Sequence, residues 1–260
     1  MELPFRKDLF TDRRALVTGA GRGIGQAVAH ALLACGAKVV AHCGIAERGP
    51  EEVFPDLTAE QAARVAVTDI DLTAAESAAE LIETAVGTLG GLDLLINNAG
   101  TMLGRKPAED MTAAHYDAVT DLNARSVVLL SAAAIPLLRK SDAAAIVNTV
   151  SISARTGGSP GSSVYSAAKA FVATHTRALA RELAGDGIRV NAVSPGTIMT
   201  DFHRRYSSPE KLEATARAIP LQRLGRASDC VGTYLFLAAP ELSGYVTGQV
   251  IEVNGGQLMA

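Results

Sequence analysis

Arg14-Ala15-Leu16-Val17-Thr18-Gly19-Ala20-Gly21-Arg22-Gly23-Ile24-Gly25 is the stretch that decides the fold. Its first five residues read as a short buried strand, and the alternating glycines that follow read as a turn. Gln26 to Cys35 is then spaced for a helix that closes at Gly36, and Ala37-Lys38-Val39-Val40-Ala41 is a second strand. This is a βαβ unit with a glycine-rich first turn. Such a turn lets backbone N–H groups approach a pyrophosphate, with the helix N-terminus adding positive potential. A glycine pattern alone carries little weight; its position between a strand and a helix promotes it over a plain ligand-free turn.

The same alternation continues outward. Further strands are expected at Arg64–Thr68, Leu92–Ile96, Ala143–Val150, Ile188–Val193 and Gly248–Val253. Thr73 is expected to cap a helix with Glu76 completing a capping box. Ala78, Leu81, Ile82, Ala85, Val86 and Leu89 would form its buried face. Thr112 to Leu138 reads as one helix whose second half is apolar nearly all round. One side would pack on the sheet and the other would lie in a subunit interface. Ser162 to Glu182 is another helix, and Ser228 is expected to cap one running to Ala239. His42 to Gln61 is less regular, with Pro50 and Pro55 as breakers and a helical turn over Thr58–Ala63. The polar, irregular segment 197–226 is expected to be a mobile lid with one or two short helices. The prediction is a single doubly wound Rossmann-type α/β domain over residues 1–260, with seven parallel strands and helices on both faces.

Composition narrows the function. Hydrophobic residues make up 48% and charged residues 20% of the 260, which supports a substantial core. A net charge of -3 argues against nucleic acid. The longest apolar run, Val127–Leu138, is broken by Ser131 and Pro136 and falls short of the roughly 20 residues a membrane span needs. The N-terminal Met1 to Asp8 does not read as a signal peptide. Cys35, Cys43 and Cys230 are odd in number and lack ligand spacing, which reads as a reduced, cytoplasmic protein. The five histidines form no ligand pair, so no metal site is expected.

Val164-Tyr165-Ser166-Ala167-Ala168-Lys169 puts a phenol and an ammonium four apart on one helix face. A nearby cation favours phenolate and would draw the Tyr165 pKa down, one way to make a general acid/base. In an open parallel sheet the ligand lies at the carboxyl ends of the strands. The Gly19–Gly25 turn, Asp71, Asn97 to Gly100, Ser151 and Pro195-Gly196 all fall at such ends.

With Thr18-Gly19-x-x-x-Gly23-x-Gly25, Asp71-Leu72, Asn97-Asn98-Ala99-Gly100, Asn123, Ser151, Tyr165-x-x-x-Lys169 and Pro195-Gly196 in this order, the chain resembles the short-chain dehydrogenase/reductase family over nearly its whole length. The likeness is strongest to 3-oxoacyl-carrier-protein reductases and to the sugar or polyol dehydrogenases that share their pattern. The resemblance implies that Tyr165 is the general acid, Ser151 holds the substrate oxygen, and Asn123 anchors a proton-relay water. Lys169 would tune Tyr165 and bind the nicotinamide ribose. Gly19, Arg22, Gly23, Ile24 and Gly25 would cradle the pyrophosphate and adenosine end. Asp71 and Leu72 would flank the adenine, with Asn98, Ala99 and Gly100 near the ribose. Pro195 and Gly196 would lead Ile198 and Thr200 to the carboxamide. One departure stands out. Tyr165 follows Ser151 by fourteen positions, where the family usually has thirteen. The extra residue is expected in the loop Arg155 to Gly158, with Ser153 as the competing assignment for Ser151.

The end of the second strand, His42-Cys43-Gly44, offers no carboxylate for a ribose 2′-hydroxyl, while Arg22 lies in the glycine turn and Arg48 is close by. NADP is therefore expected over NAD, with Glu47 as the residue that would reverse the preference. His203, Arg204, Arg205, Lys211, Arg105 and Lys106 form a basic rim, read either as solvated charge or as a contact for an acyl-carrier phosphate or a sugar acid. The expected substrate is a small or acyl-carrier-bound carbonyl, above all a 3-oxoacyl thioester. The alternatives are a sugar or polyol, or a non-catalytic cofactor sensor. A homotetramer is expected.

Overall fold

The computed structural model describes residues 8–45 and 48–259. Glu47, the residue expected to oppose NADP, lies outside them.

The sequence alternation becomes one seven-stranded sheet in the order β3-β2-β1-β4-β5-β6-β7, with every neighbouring pair parallel. The strands are β1 (Arg14–Val17), β2 (Lys38–His42), β3 (Val65–Thr68), β4 (Leu94–Asn97), β5 (Ala145–Thr149), β6 (Arg189–Pro195) and β7 (Val250–Val253). β1, β4, β5 and β6 are buried almost throughout, as continuous apolar runs between two helical layers should be. α1 (Gly23–Ala34) covers one face. The short helices α2 (Pro50–Val53) and α3 (Ala59–Ala62) precede β3, and α4 (Ser77–Leu89) lies on the other face. α5 (Ala113–Thr120) and α6 (Ser126–Leu138) come next. They are followed by α7 (Ser153–Thr156), α8 (Ser163–Leu183), α9 (Asp201–Tyr206), α10 (Pro209–Ala218), α11 (Ala227–Ala238) and α12 (Pro240–Ser243).

The two core layers follow from these faces. Val28, Leu32 and Leu33 of α1 pack with Tyr234 and Leu237 of α11 over one side of the sheet. Leu81 and Ile82 of α4, Leu130 and Leu138 of α6, and Leu179 and Leu183 of α8 cover the other. At about 1.5–3 kcal/mol per fully buried aliphatic side chain, these layers are the main stabilising term. Arg14 and Asp93 lock the N-terminal edge of β1 to that of β4. Asp93 accepts from the Arg14 backbone N–H at 2.8 Å and from Nε and Nη2 at 2.9 and 2.7 Å.

Several local expectations are corrected. Thr73 caps no helix: its N–H and hydroxyl both donate to Asp71, at 2.9 and 2.7 Å, closing a turn, and α4 begins only at Ser77. Ser228 is no cap either. The Asp229 carboxylate accepts the Arg226 N–H at 2.7 Å, so α11 begins one residue before Ser228. Pro50 opens α2 rather than breaking it, because a missing N–H costs nothing in a first turn. The expected turn at Thr58–Ala63 is present as α3, with Thr58 and Gln61 forming its capping box.

The predicted helix 112–138 is a single rod interrupted by a π turn over Asp121–Arg125. Ala113–Leu138 has the length and apolarity of a membrane span by composition, with a mean hydropathy of 1.4. Here Val127, Leu130, Ala134 and Leu138 are buried in the protein core, and the rod carries Asp117, Asp121 and Arg125.

Candidate functional site

The strand order reverses between β1 and β4, and the cleft opens there at the carboxyl ends, with a volume of about 590 Å3. Gly19, Gly21, Arg22, Gly23 and Ile24 form one wall. Gly19 has φ +64°, and a Cβ on it would lie 2.8 Å from the Ala99 Cα, so only glycine lets the turn pass β4. Gly25 is not on the wall. A Cβ there would meet the Gly19 carbonyl at 2.3 Å, so its role is close packing of α1 beneath the turn. No side chain caps the N-terminus of α1, which leaves its first-turn N–H groups available.

Thr18 and the asparagines tie this wall to the middle of the sheet. Thr18 Oγ1 accepts from the N–H groups of Asn98 and Ala99 at 2.9 and 3.0 Å. Asn98 Nδ2 donates to the Thr18 and Gly19 carbonyls at 3.0 and 3.1 Å, so this side chain holds the turn in place. Asn97 bonds Asn148 across to β5 at 2.9 Å. Ala99, Gly100 and Leu72 line the cleft, whereas the Asp71 carboxylate is turned to Thr73 and does not.

Ser151, Tyr165 and Lys169 meet on the floor of the cleft. The Ser151 hydroxyl accepts from Ser153 Oγ at 3.0 Å and from the Ser153 N–H at 3.2 Å. Ser153 thus serves Ser151, and Ser151 is the serine that faces the Tyr165 hydroxyl. The longer loop between them is taken up by α7 and by Gly157 and Gly158, both left-handed at φ +78° and +74°. Lys169 is 3% exposed, and its ammonium donates to the Thr149 carbonyl at 2.9 Å. It lies 5.8 Å from the Tyr165 ring centroid.

The electrostatics differ from the simple expectation of a lowered phenol pKa. Burial raises the Tyr165 phenol to about 12, with Ser151 acting in the opposite direction. Burial also lowers the Lys169 ammonium to about 8. Desolvation is the largest cause at both groups, and Lys169 gives its ammonium to the Thr149 carbonyl.

Asn123 reaches this floor through the π turn. Its Nδ2 donates to the Thr101 and Val119 carbonyls, each at 2.8 Å, and its Oδ1 is buried without a partner among the described residues. A Cβ on Gly100 would lie 2.6 Å from that Oδ1 and 3.0 Å from Lys169 Nζ, so both groups flank Gly100.

The end of β2 is built around two side chains. His42 is buried, with Nε2 on the Ile70 carbonyl at 2.8 Å and Nδ1 accepting from the Gly19 N–H at 3.4 Å; burial lowers its pKa and keeps it neutral. The Arg48 guanidinium donates to the Gly21 carbonyl at 3.0 Å, and its buried Nε has no partner among the described residues. Arg22 is paired at 3.7 Å with Asp201 of α9.

The residues 197–206 close over the opposite side. Ile198 is buried and bridges to Gly225, and Thr200 packs beside Gly23. Pro195 and Gly196 line the cleft at the end of β6. Three contributors escaped the sequence reading: Thr149 as the Lys169 acceptor, and Phe202 and Tyr206. The Phe202 ring lies 5.6 Å from Tyr165 and 5.1 Å from Tyr206. An aromatic pair four apart in the polar 197–226 segment was the available signal.

The profile of the family described as Enoyl-(Acyl carrier protein) reductase matches residues 19–257. A 3-oxoacyl-[acyl-carrier-protein] reductase of Synechocystis sp. is 38% identical over 253 residues, covering 96% of this chain and 98% of that protein. The chain belongs to the short-chain dehydrogenase/reductase family. Among solved short-chain reductases, an NADH-dependent reductase A1-R' responsible for alginate metabolism is 35% identical with a TM-score of 0.87, covering 98% of this chain and all of that one. The same reductase complexed with NAD is 34% identical in its structure, with a TM-score of 0.84 and coverage of 98% and 99%. A short-chain dehydrogenase/reductase is an NAD(P)-dependent oxidoreductase, and this chain is one.

Proposed function

We propose that this chain reduces a carbonyl to an alcohol with NADP(H), and that a 3-oxoacyl thioester or similar ketone is its first substrate class. The observation that carries the reading is the convergence of Ser151, Tyr165 and Lys169 on the floor of a cleft walled by the glycine turn. The fit to a dinucleotide rests on the crowding at Gly19 and on the uncapped N-terminus of α1. Gly19, Arg22, Gly23 and Ile24 would hold the pyrophosphate and adenosine end, with Gly25 supporting the turn from beneath. Leu72 would border the adenine, and Asp71 would shape that turn. Asn98, Ala99 and Gly100 would border the ribose. Pro195, Gly196, Ile198 and Thr200 would face the nicotinamide. Hydride donation is the chemistry that the nicotinamide supplies when bound.

The chain supplies position and a proton. Ser151 donates to the substrate oxygen and orients it. Tyr165, protonated at neutral pH, gives its proton to that oxygen as negative charge develops there. Lys169 holds positive charge beside the phenol and steadies the phenolate left behind. Asn123 would anchor a water that returns a proton by way of Lys169, and its unpartnered Oδ1 beside Gly100 suits that task.

Arg48 supports NADP, since a guanidinium at the end of β2, where no described carboxylate faces the cleft, suits a 2′-phosphate. The Synechocystis relative supports the thioester reading. A second reading, oxidation or reduction of a sugar or polyol, is favoured by the hydroxyl-rich wall of Ser151, Ser153, Thr156, Ser159 and Ser162, and by the alginate-metabolism neighbour. A sensor without turnover would not need Asn123, Ser151, Tyr165 and Lys169 together. A cytoplasmic setting agrees with three free cysteines. A homotetramer would cover the exposed apolar residues of α6 and α8.

The test follows nicotinamide absorbance over a panel of oxoacyl thioesters, simple ketones and sugars. NADPH is expected to show the lower KM, and Tyr165→Phe to lose about 10²- to 10⁴-fold in kcat. A Tyr165→Phe enzyme as fast as its parent overturns the mechanism, and a lower KM for NADH overturns the cofactor assignment.

A further inference from the structure

The wall facing the glycine turn carries a cation and an imidazole that proton and hydride transfer do not use. Arg105, on the loop after β4, and His203, on α9, both line the cleft. Arg105 commits two of its five N–H groups, Nε to the Tyr206 carbonyl and Nη1 to the Pro160 carbonyl, each at 3.0 Å. Both acceptors are neutral, and among the described residues no carboxylate pairs with Arg105 or Lys211. Asp201, the acid on this wall, is engaged by Arg22 at 3.7 Å and by Arg204 at 2.8 Å. His203 Nδ1 sits 3.3 Å from Ser207 Oγ, and its other ring nitrogen has no protein partner among the described residues. Burial first, then the positive charge of Arg105 and Lys211, push the His203 pKa down to about 4, so the ring is neutral beside these two cations.

The loop is shaped to hold Arg105 there. Leu103 takes a left-handed φ of +54°, a conformation that costs a non-glycine residue about 1–2 kcal/mol. Such strain persists only where the surroundings over-determine it. Lys106 N–H donates to the Gly161 carbonyl at 3.0 Å, and a Cβ on Gly161 would lie 2.9 Å from the Arg105 Cβ. The loop is therefore seated directly on the run that leads into Tyr165. Phe202 spans the gap, contacting the Tyr165 ring on one side and the His203 and Tyr206 rings on the other. Arg105 and His203 thus stand beyond the Phe202 ring from the Tyr165 phenol.

We infer that the substrate carries an anionic group, a carboxylate or a phosphate, which Arg105 grips with His203 as a second donor while the carbonyl lies on Ser151 and Tyr165. This rests on the carbonyl-reductase reading and specifies its substrate class. The arrangement suits an oxo acid, including a sugar acid, or the phosphate of a pantetheine arm.

The experiment compares kcat/KM within pairs that differ in charge: short oxo-carboxylates against their methyl esters, and acetoacetyl-phosphopantetheine against acetoacetyl-pantetheine. In the parent enzyme the charged member of at least one pair is expected to be preferred by about 10- to 100-fold, the size of a hydrogen bond to a charged group. Preference within the first pair identifies a carboxylate, and within the second a phosphate. Arg105→Gln should cut the preference to about threefold or less, mainly through KM, and Arg105→Lys should restore part of it. A poorly folded variant lowers both members of a pair alike and leaves their ratio intact. No preference in the parent, or one that survives Arg105→Gln, overturns the inference while leaving carbonyl reduction standing. If no carbonyl is turned over with either nicotinamide, the reductase reading falls and this inference falls with it.

Discussion

Lys169 is charged where burial works against charge, and its pKa of about 8 sits near the operating range. Tyr165, raised to about 12, remains protonated well above that. The kcat/KM for carbonyl reduction reports groups of the free enzyme. It is expected to be level through neutral pH and to fall as pH rises through about 8, where Lys169 loses its proton. A pH profile of initial rates with NADPH checks this, and Lys169→Arg should move the fall to higher pH. The convergence of the residues proposed to carry this chemistry was legible because Tyr165-x-x-x-Lys169 is a helical spacing and Ser151 follows a strand. The sign of the phenol's shift was not legible. It depends on which way Lys169 turns and how much water the packed floor excludes, and both are set by residues distant in sequence, such as Thr149.

Among the elements, β1 and β4 depend on one acid. Asp93 is 6% exposed, and Arg14 and the Ser141 hydroxyl hold its carboxyl below the usual range despite the opposing effect of burial. Asp93→Ala leaves a guanidinium without its partner and is expected to cost about 3 kcal/mol, the lower end for a buried pair because Arg14 remains 30% exposed. Urea denaturation measures it. The folded pKa is depressed, so this contribution is fully present above the unfolded value of about 4 and is lost as pH falls through the lowered folded value. The strands themselves could be read from apolar runs between turn residues. Helix starts were harder, because Thr73 and Ser228 have the chemistry of a cap, yet Thr73 gives its own N–H and hydroxyl to Asp71, and Asp229 draws in the Arg226 N–H so that α11 starts earlier. The π turn was invisible, since no residue type announces an extra position in an otherwise helical pattern.

At the scale of the whole molecule, the reversal of strand order opens a cleft at the edge where most of the strand-end motifs gather. That convergence could be anticipated once the chain was seen to alternate strand and helix. The 197–226 segment was recognisable as irregular and polar, yet its aromatic contact with Tyr165 depends on a fold-back that its composition does not specify. Leu129 on α6 is 37% exposed and Phe171 on α8 is 51% exposed, surface that an assembly would cover. Light scattering is expected to give a tetramer, and Leu129→Asp with Phe171→Asp a smaller species with unchanged circular dichroism. A monomeric parent would refute the assembly.

The turn at Asp121–Arg125 gives chain length a meaning of its own. Each residue of an α-helix advances about 100° around the axis, so the added position rotates everything on one side of it relative to the other. Asn123 flanks Gly100 together with Lys169 by way of that offset, while α6 keeps Val127, Leu130, Ala134 and Leu138 buried. Between Val119 and Ser126, therefore, the number of residues matters as much as their identity. Loss of the Ala124 codon would leave every side chain named above in place in the gene, and is expected to uncouple Asn123 from the floor of the cleft.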